Sequence, residues 1–179
     1  MRLIVFCLLT VGLSWAQSTT SATLHFDLSK IGMVEDGEQE CNDTNPRLQE
    51  IPSKEMDRIV GAGSKSIPVL IRMLADRRMA QTREPIICYW PGMAIGDIAF
   101  CLLTDLFKDT RGKTTVPGAD WGSMIDPQDK DNPAWEQLHS TLRRHGVAAL
   151  QAKWRKMWVQ YGDQMHWDGK EECFKLKGQ

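Results

Sequence analysis

The sequence predicts an all-α fold of about five helices in antiparallel pairs. Apolar residues recur at three- and four-residue spacing, proline or glycine marks the segment ends, and no segment alternates convincingly between apolar and polar residues. Residues 17–44 carry Ser, Thr, Gly and acids without a sustained period, which is typical of an extended or partly disordered lead-in. We therefore expect one helical domain over residues 45–179.

The first two predicted helices follow the lead-in. Asn45-Pro46 places a capping residue before a proline at the first helical position, and Gly61 ends the segment. The second helix is predicted to begin at Ser66, and its apolar stripe falls at i, i+3, i+4 and i+7: Ile67, Leu70, Ile71 and Leu74. This spacing is typical of an amphipathic helix packed against a neighbour.

The remaining helices surround one long loop. Residues 95–107 are apolar on nearly all sides, which predicts a helix at the centre of the fold. Residues 108–132 are rich in Gly, Thr, Pro and Asp, and we expect them to form an uninterrupted loop. A further helix is predicted over 132–146 and a last long helix over 147–162, each ended by a glycine.

The amino terminus has the features of a secretory signal peptide. Arg2 precedes an apolar core of about eleven residues, and Ser14 and Ala16 supply small residues before Gln17. Cleavage after Ala16 predicts a periplasmic or extracellular protein with no membrane span in the mature chain. The formal charge of −1 then becomes about −2, which argues against general attraction to nucleic acid.

Four cysteines remain after cleavage, and an even number in an oxidising compartment permits disulfides with three possible pairings. Cys41 and Cys173 lie in polar stretches near the two ends of the chain, so we expect these two to be paired. Their spacing with the histidines does not match a metal site, and no metal or cofactor is predicted.

The stretch Gly112-Lys113-Thr114 matches the end of a phosphate-binding loop. That motif needs a glycine five residues before Gly112, where this chain has Phe107, and a buried strand before it, where a helix is predicted. We therefore interpret it as a polar surface loop and expect no nucleotide binding.

Residues 58–76, RIVGAGSKSIPVLIRMLAD, resemble the second half of a HEAT-type helical hairpin, in which a glycine turn precedes an xxIPxLIxxLxD helix. GDIAFCLLTDLF, at 96–107, fits the first helix of the next unit. The resemblance covers about fifty residues and implies one HEAT-like hairpin within an irregular helical domain. GDIAF, VPGADW and WDGKEECF are together also similar to uncharacterised secreted bacterial proteins, which supports fold and compartment only.

Three tryptophans outside the predicted helices are the most free to be exposed: Trp90, Trp121 and Trp167. Exposed aromatic residues of secreted proteins stack on sugars or anchor protein interfaces. Trp121 lies between Asp120 and Gly122 in the predicted loop, so it is expected either to anchor a partner or to pack over the central helix. We predict a binding protein that recognises an envelope protein or polysaccharide through residues 108–132.

Two other functions fit the sequence. A hydrolase would use His166 with one of three aspartates: Asp97, Asp120 or Asp168. Asp97 is expected mainly to stabilise the amino-terminal end of the central helix. His139 and His145 are six residues apart, which places them on different sides of a helix and makes them poor joint metal ligands. The other alternative is a structural protein of the cell envelope.

Overall fold

The computed structural model describes residues 24–30, 33–35, 48–50, 54–80 and 93–178. Within these ranges it is mostly helical, which confirms the predicted class. The helices are α1 (Lys54–Gly61), α2 (Ser66–Met73), α3 (Ile95–Asp105), α4 (Trp121–Met124) and α5 (Ala134–Tyr161). Two antiparallel hairpins pair β1 (Met33–Glu35) with β2 (Leu48–Glu50) and β3 (Met165–Asp168) with β4 (Cys173–Leu176).

The first helix begins at Lys54, so its predicted start at Asn45 is wrong. Residues 48–50 form a strand instead, with Leu48 opposite Glu35. Ile51 stands before Pro52 in the sequence, and the residue before a proline is biased towards extended backbone. This bias disfavours a helix that runs through the proline, and the described helix begins at Lys54. The strands of both hairpins have three or four residues, too few for a period of two to stand out.

The central helix lies where the sequence predicts it. Every residue of α3 from Ile95 to Thr104 is buried, and the helix packs against α2. The Gly96 N–H donates to the backbone oxygen of Asp76 at 2.8 Å, so the start of α3 lies directly against the chain that leaves α2. Phe26 and Leu28, from the predicted lead-in, are each only 1% exposed and belong to the same core.

Helix α5 contains the break that the sequence predicts. Gly146 has φ 75° and ψ 161°, a conformation that interrupts the helix between its two predicted segments. A glycine adopts this left-handed φ without the steric cost that a side chain would add. The second segment ends at Tyr161, directly before Gly162, as predicted.

Residues 108–132 are not an uninterrupted loop. They contain α4 and a 3₁₀ turn at Pro127–Asp129. Asp120 accepts the Ser123 N–H at 2.8 Å, and Asp126 accepts the Gln128 N–H at 2.9 Å. Such side-chain caps satisfy backbone donors that a short helical turn leaves unpaired, which explains why two turns form in a segment rich in loop residues.

A continuous chain of aromatic contacts crosses the core, and this feature positions the site described below. Neighbouring ring centroids are 4.8–6.3 Å apart, and Trp154 near the middle of the chain is 0% exposed. In order, the rings are Trp167, Phe174, Phe107, Trp154, Phe100, Trp121, Trp135 and His139. In the described part of the chain, no helix combines the length and apolarity needed to cross a membrane.

Candidate functional site

Trp121 is the first residue of α4, and its indole is partly buried. The ring lies edge-on against Phe100 of α3, with centroids 4.8 Å apart. Its Nε1–H donates to Oε1 of Gln137 at 2.8 Å. Because these contacts hold the indole over α3, they favour the packing interpretation of Trp121 over the free anchor. Its neighbour Asp120 is engaged in capping α4.

The other predicted binding residues lie elsewhere. Trp167 is on β3, where its ring stands edge-on to Phe174 at 5.1 Å. Four rings separate it from Trp121 along the aromatic chain. Trp90 lies outside the described residues. Among the described residues, the structure therefore does not bring Trp121 and Trp167 together at one surface.

The predicted histidine and aspartates are also separated. His166 is exposed on β3. Asp168 accepts from Lys175 Nζ at 2.9 Å, and this bond and two backbone N–H groups lower the pKa of its carboxyl to about 2. Asp97 contacts a different histidine, His139. Among the residues with described side chains, no predicted aspartate has His166 within ion-pair distance.

The pairing that does form is centred on Asp97, in the first turn of α3. Its Oδ2 accepts the Ala94 N–H at 3.1 Å and lies 3.5 Å from Nε2 of His139. Its Oδ1 lies 3.5 Å from Nη1 of Arg77. The Asp97 side chain is 6% exposed, whereas His139 and Arg77 are 46% and 49% exposed. A buried carboxylate therefore lies behind two half-exposed side chains that can meet a ligand.

Trp135 completes this surface. Its partly exposed indole lies 6.2 Å from the His139 imidazole and contacts Trp121 edge-on at 6.3 Å, measured between ring centroids. We call the surface formed by Arg77, Asp97, Trp135 and His139 the Asp97 face. The face combines residues of α3, α5 and the segment that follows α2. Trp121 of α4 supports Trp135 from the core side.

Sequence reasoning missed the Asp97 face because Arg77 and His139 are far from Asp97 along the chain. The sequence does contain a local signal for two residues of this face. Trp135 and His139 are four residues apart and therefore lie on one face of a helix. Nothing local indicates that this face of α5 meets the start of α3.

A second cluster of charges connects residues 125–132 to α5. Asp126 Oδ2 lies 2.7 Å from His145 Nε2 and 3.1 Å from Arg144 Nη1. Arg144 Nη2 donates to Asp129 Oδ1 at 2.6 Å, and Asp129 also accepts from Ser140 Oγ. The Gln128 N–H, His145 and Arg144 together lower the pKa of Asp126 to about 2. This cluster fixes the short 3₁₀ turn against α5 just before its break.

The lowered pKa predicts acid sensitivity. The pKa of the Asp126 carboxyl is about 3.9 in the unfolded chain and about 2 in the folded protein. The carboxylate therefore stabilises the fold fully above about pH 4. Its contribution is lost as the pH falls from about 4 towards 2. We expect the melting temperature of Asp126→Asn to depend less on pH across this window than that of the wild type. The exposed Asp131→Asn serves as the control, and equal slopes for all three proteins would contradict the assignment.

The described cysteines are both buried free thiols, Cys101 and Cys173. Burial raises the pKa of each thiol, so neither reacts readily as a thiolate in the folded state. Cys173 opens β4 and is 0% exposed. Cys41 lies outside the described residues, and its pairing with Cys173 stays a prediction.

The pairing is tested on protein recovered from an oxidising compartment. The protein is alkylated in denaturant, because a buried thiol escapes alkylation under native conditions. We expect a disulfide-linked Cys41–Cys173 peptide in its non-reducing digest. The reduced sample is the control, and it should lose the linked peptide. Recovery of alkylated Cys41 from the non-reduced sample would exclude the pairing.

The Gly112-Lys113-Thr114 segment has the environment of a surface turn. The preceding element is α3, a helix, as the sequence predicts. Asp109 Oδ1 accepts the backbone N–H groups of Arg111 and Lys113 at 3.0 and 2.9 Å. A phosphate-binding loop needs such N–H groups free for the anion, and here a carboxylate of the chain engages them.

Comparison with protein-family models, with curated proteins and with solved structures finds no significant match for this chain. Among the described residues, no group of three or more His, Cys, Asp or Glu side chains is placed to hold a metal ion. The geometry of the Asp97 face is therefore the feature of the described residues that bears on function.

Proposed function

We propose that this protein is a secreted or periplasmic binding protein that recognises its partner through the Asp97 face without a cofactor. The supporting observation is the order of the last three aromatic rings. Trp121 is held by a hydrogen bond, Trp135 contacts it, and half-exposed His139 follows. Rings held by packing lose little conformational freedom on binding, so the contact area they provide costs little entropy.

Trp135, rather than Trp121, is the anchor in this proposal. Residues 108–132 contribute indirectly, because Trp121 supports Trp135 from the core side. Export through residues 1–16, the antiparallel pairing of the helices and the HEAT-like hairpin at 58–76 remain part of the proposal. Export would bring the protein to the cell envelope, and the helical pairing would bring the segment that follows α2, with Arg77, beside the start of α3.

The proposal is tested by capture from an envelope extract of the cells that export the protein. Wild type, Trp135→Ala and Trp167→Ala are immobilised after circular dichroism confirms that each is folded. We expect Trp135→Ala to lose capture by about tenfold or more, as for a central aromatic anchor, and Trp167→Ala to retain it. Trp167 is a suitable control because, like Trp135, it is partly buried and stands edge-on to another aromatic ring, in this case Phe174. Undiminished capture by Trp135→Ala would refute this site.

A second candidate is a hydrolase in which Asp97 orients His139 as a general base towards water. The observation that favours it is the 3.5 Å separation of Asp97 Oδ2 and His139 Nε2, because catalytic hydrogen bonds are often long before substrate binds. We would expect His139→Gln to abolish hydrolysis of an ester, amide or glycoside substrate, and exposed His166→Gln to leave it unchanged. Equal activities of the two variants would exclude this role.

A further inference from the structure

One oxygen of the Asp97 face lacks a hydrogen bond. Asp97 Oδ1 is buried, and no donor reaches it in the described part of the chain. Arg77 Nη1 is 3.5 Å away, close enough for an ion pair but too far for a hydrogen bond of ordinary length. A buried carboxylate oxygen without a donor is unfavourable. A ligand that supplies a donor here therefore gains an interaction that the free protein does not make.

Access to this oxygen depends on Arg77. The Arg77 side chain is 49% exposed, whereas that of Asp97 is 6% exposed. The guanidinium can turn towards solvent and still donate to the ligand, and a ligand donor that takes its place keeps the buried carboxylate compensated. A group that enters between Asp97 Oδ1 and Arg77 must donate to the carboxylate and accept from the guanidinium.

This requirement selects among ligand groups. A phosphate dianion or carboxylate only accepts and an ammonium only donates, whereas a hydroxyl and an amide do both. A hydroxyl donates and accepts at one atom, which suits two groups 3.5 Å apart, whereas an amide needs both its nitrogen and its oxygen. Two neighbouring hydroxyls would engage Asp97 and Arg77 together. Those two side chains carry one negative and one positive charge, so the pair does not strongly favour either an anionic or a cationic polymer.

Trp135 adds a flat apolar contact beside these polar groups. Its partly exposed indole is held by Trp121 and lies next to His139. The C–H side of a sugar ring is apolar, while its edge carries neighbouring hydroxyls. The Asp97 face offers both kinds of contact, because the Trp135 indole neighbours His139, which contacts Asp97, and Asp97 in turn contacts Arg77. We infer that the ligand of the Asp97 face is a neutral polysaccharide. One sugar ring stacks on Trp135, and its hydroxyls are bound by Asp97 and Arg77. This inference rests on the proposed function.

The test uses the mature protein and envelope polysaccharide freed of protein by protease digestion. Co-sedimentation measures binding at low and high salt. We expect wild-type protein to bind with little change between about 50 and 500 mM salt, because a neutral ligand releases few counterions. Loss of binding at high salt would indicate an anionic polymer and overturn the inference.

Three variants locate the binding. Asp97→Asn keeps the shape of the side chain and an acceptor for the Ala94 N–H, but its amide nitrogen cannot accept a hydroxyl donor. We expect at least about tenfold weaker binding, the usual effect of losing a hydrogen bond to a charged group. Trp135→Ala should have a similar effect and Trp135→Phe a smaller one. Asp163→Asn, at an exposed residue outside the face, is the control. Melting temperatures of all variants separate lost binding from lost folding.

The outcomes distinguish this inference from the proposed function. If the protease-treated polysaccharide does not bind but capture of an envelope protein still depends on Trp135, the carbohydrate inference is wrong and the proposed function stands. If neither polysaccharide binding nor capture of an envelope protein depends on Trp135, the carbohydrate inference and the proposed function are both wrong. Polysaccharide binding that Asp97→Asn leaves unchanged would also refute the role given to Asp97.

Discussion

Replacing Gly96 by alanine is expected to lower the free energy of unfolding by about 3 kcal/mol. A Cβ at this position would lie 2.5 Å from the backbone oxygen of Leu74 and 3.1 Å from that of Asp76. Both contacts are with backbone, so relief requires α3 to move away from the end of α2. That movement also weakens the hydrogen bond from the Gly96 N–H to Asp76.

Gly61→Ala provides the matched control for Gly96→Ala. Gly61 is the last residue of α1, and a Cβ there would meet no heavy atom within 4 Å. Alanine loses less conformational entropy than glycine in a helix, so we expect unchanged stability or a gain of up to about 1 kcal/mol. Urea denaturation of both variants measures the difference. Equal stability of Gly96→Ala and the wild type would mean that α2 and α3 are not in close contact.

Separation of α2 from α3 would also affect recognition. Arg77 lies in the segment that follows α2, and Asp97 lies at the start of α3. Gly96 sets how closely these two segments approach. Each contact of the Asp97 carboxylate with its two half-exposed partners is 3.5 Å long, so a shift of the backbone moves them out of range. The close helix contact and the candidate site therefore depend on the same glycine.

The parts of the fold that the sequence predicts are those that local chemistry determines. An almost entirely apolar segment must be buried, and α3 lies at the centre of the core. A glycine between two amphipathic segments breaks a helix, and Gly146 does so with a left-handed φ. Trp154, on the predicted inner stripe of the last helix, is fully buried.

The parts that the sequence does not reveal depend on distant contacts or on very short elements. β2 is identified by its partner strand, because three residues carry no usable period. The capping aspartates at 120 and 126 could have indicated helical turns within the predicted loop, since aspartate is a favoured capping residue. The Asp97 face could not have been predicted, because it joins three elements whose order in space the sequence does not state.

Replacing Trp121 by alanine is expected to lower the free energy of unfolding by about 3 kcal/mol, at the lower end for a large aromatic residue that packs on the core. The truncation removes the edge-on contact with Phe100, the contact with Trp135 and the hydrogen bond to Gln137. Loss of the support for Trp135 should also weaken partner capture. This result alone would not separate packing from direct recognition.

Trp121→Phe separates the two roles of Trp121. Phenylalanine keeps an aromatic ring against Phe100 but cannot donate to Gln137, so we expect a smaller loss of about 1 kcal/mol. Partner capture should be largely retained, because Trp135 keeps an aromatic neighbour. Thermal unfolding and capture are measured on the same preparations of wild type, Trp121→Ala and Trp121→Phe. If Trp121→Ala melts like the wild type and yet loses capture, Trp121 itself is the anchor and Trp135 is not.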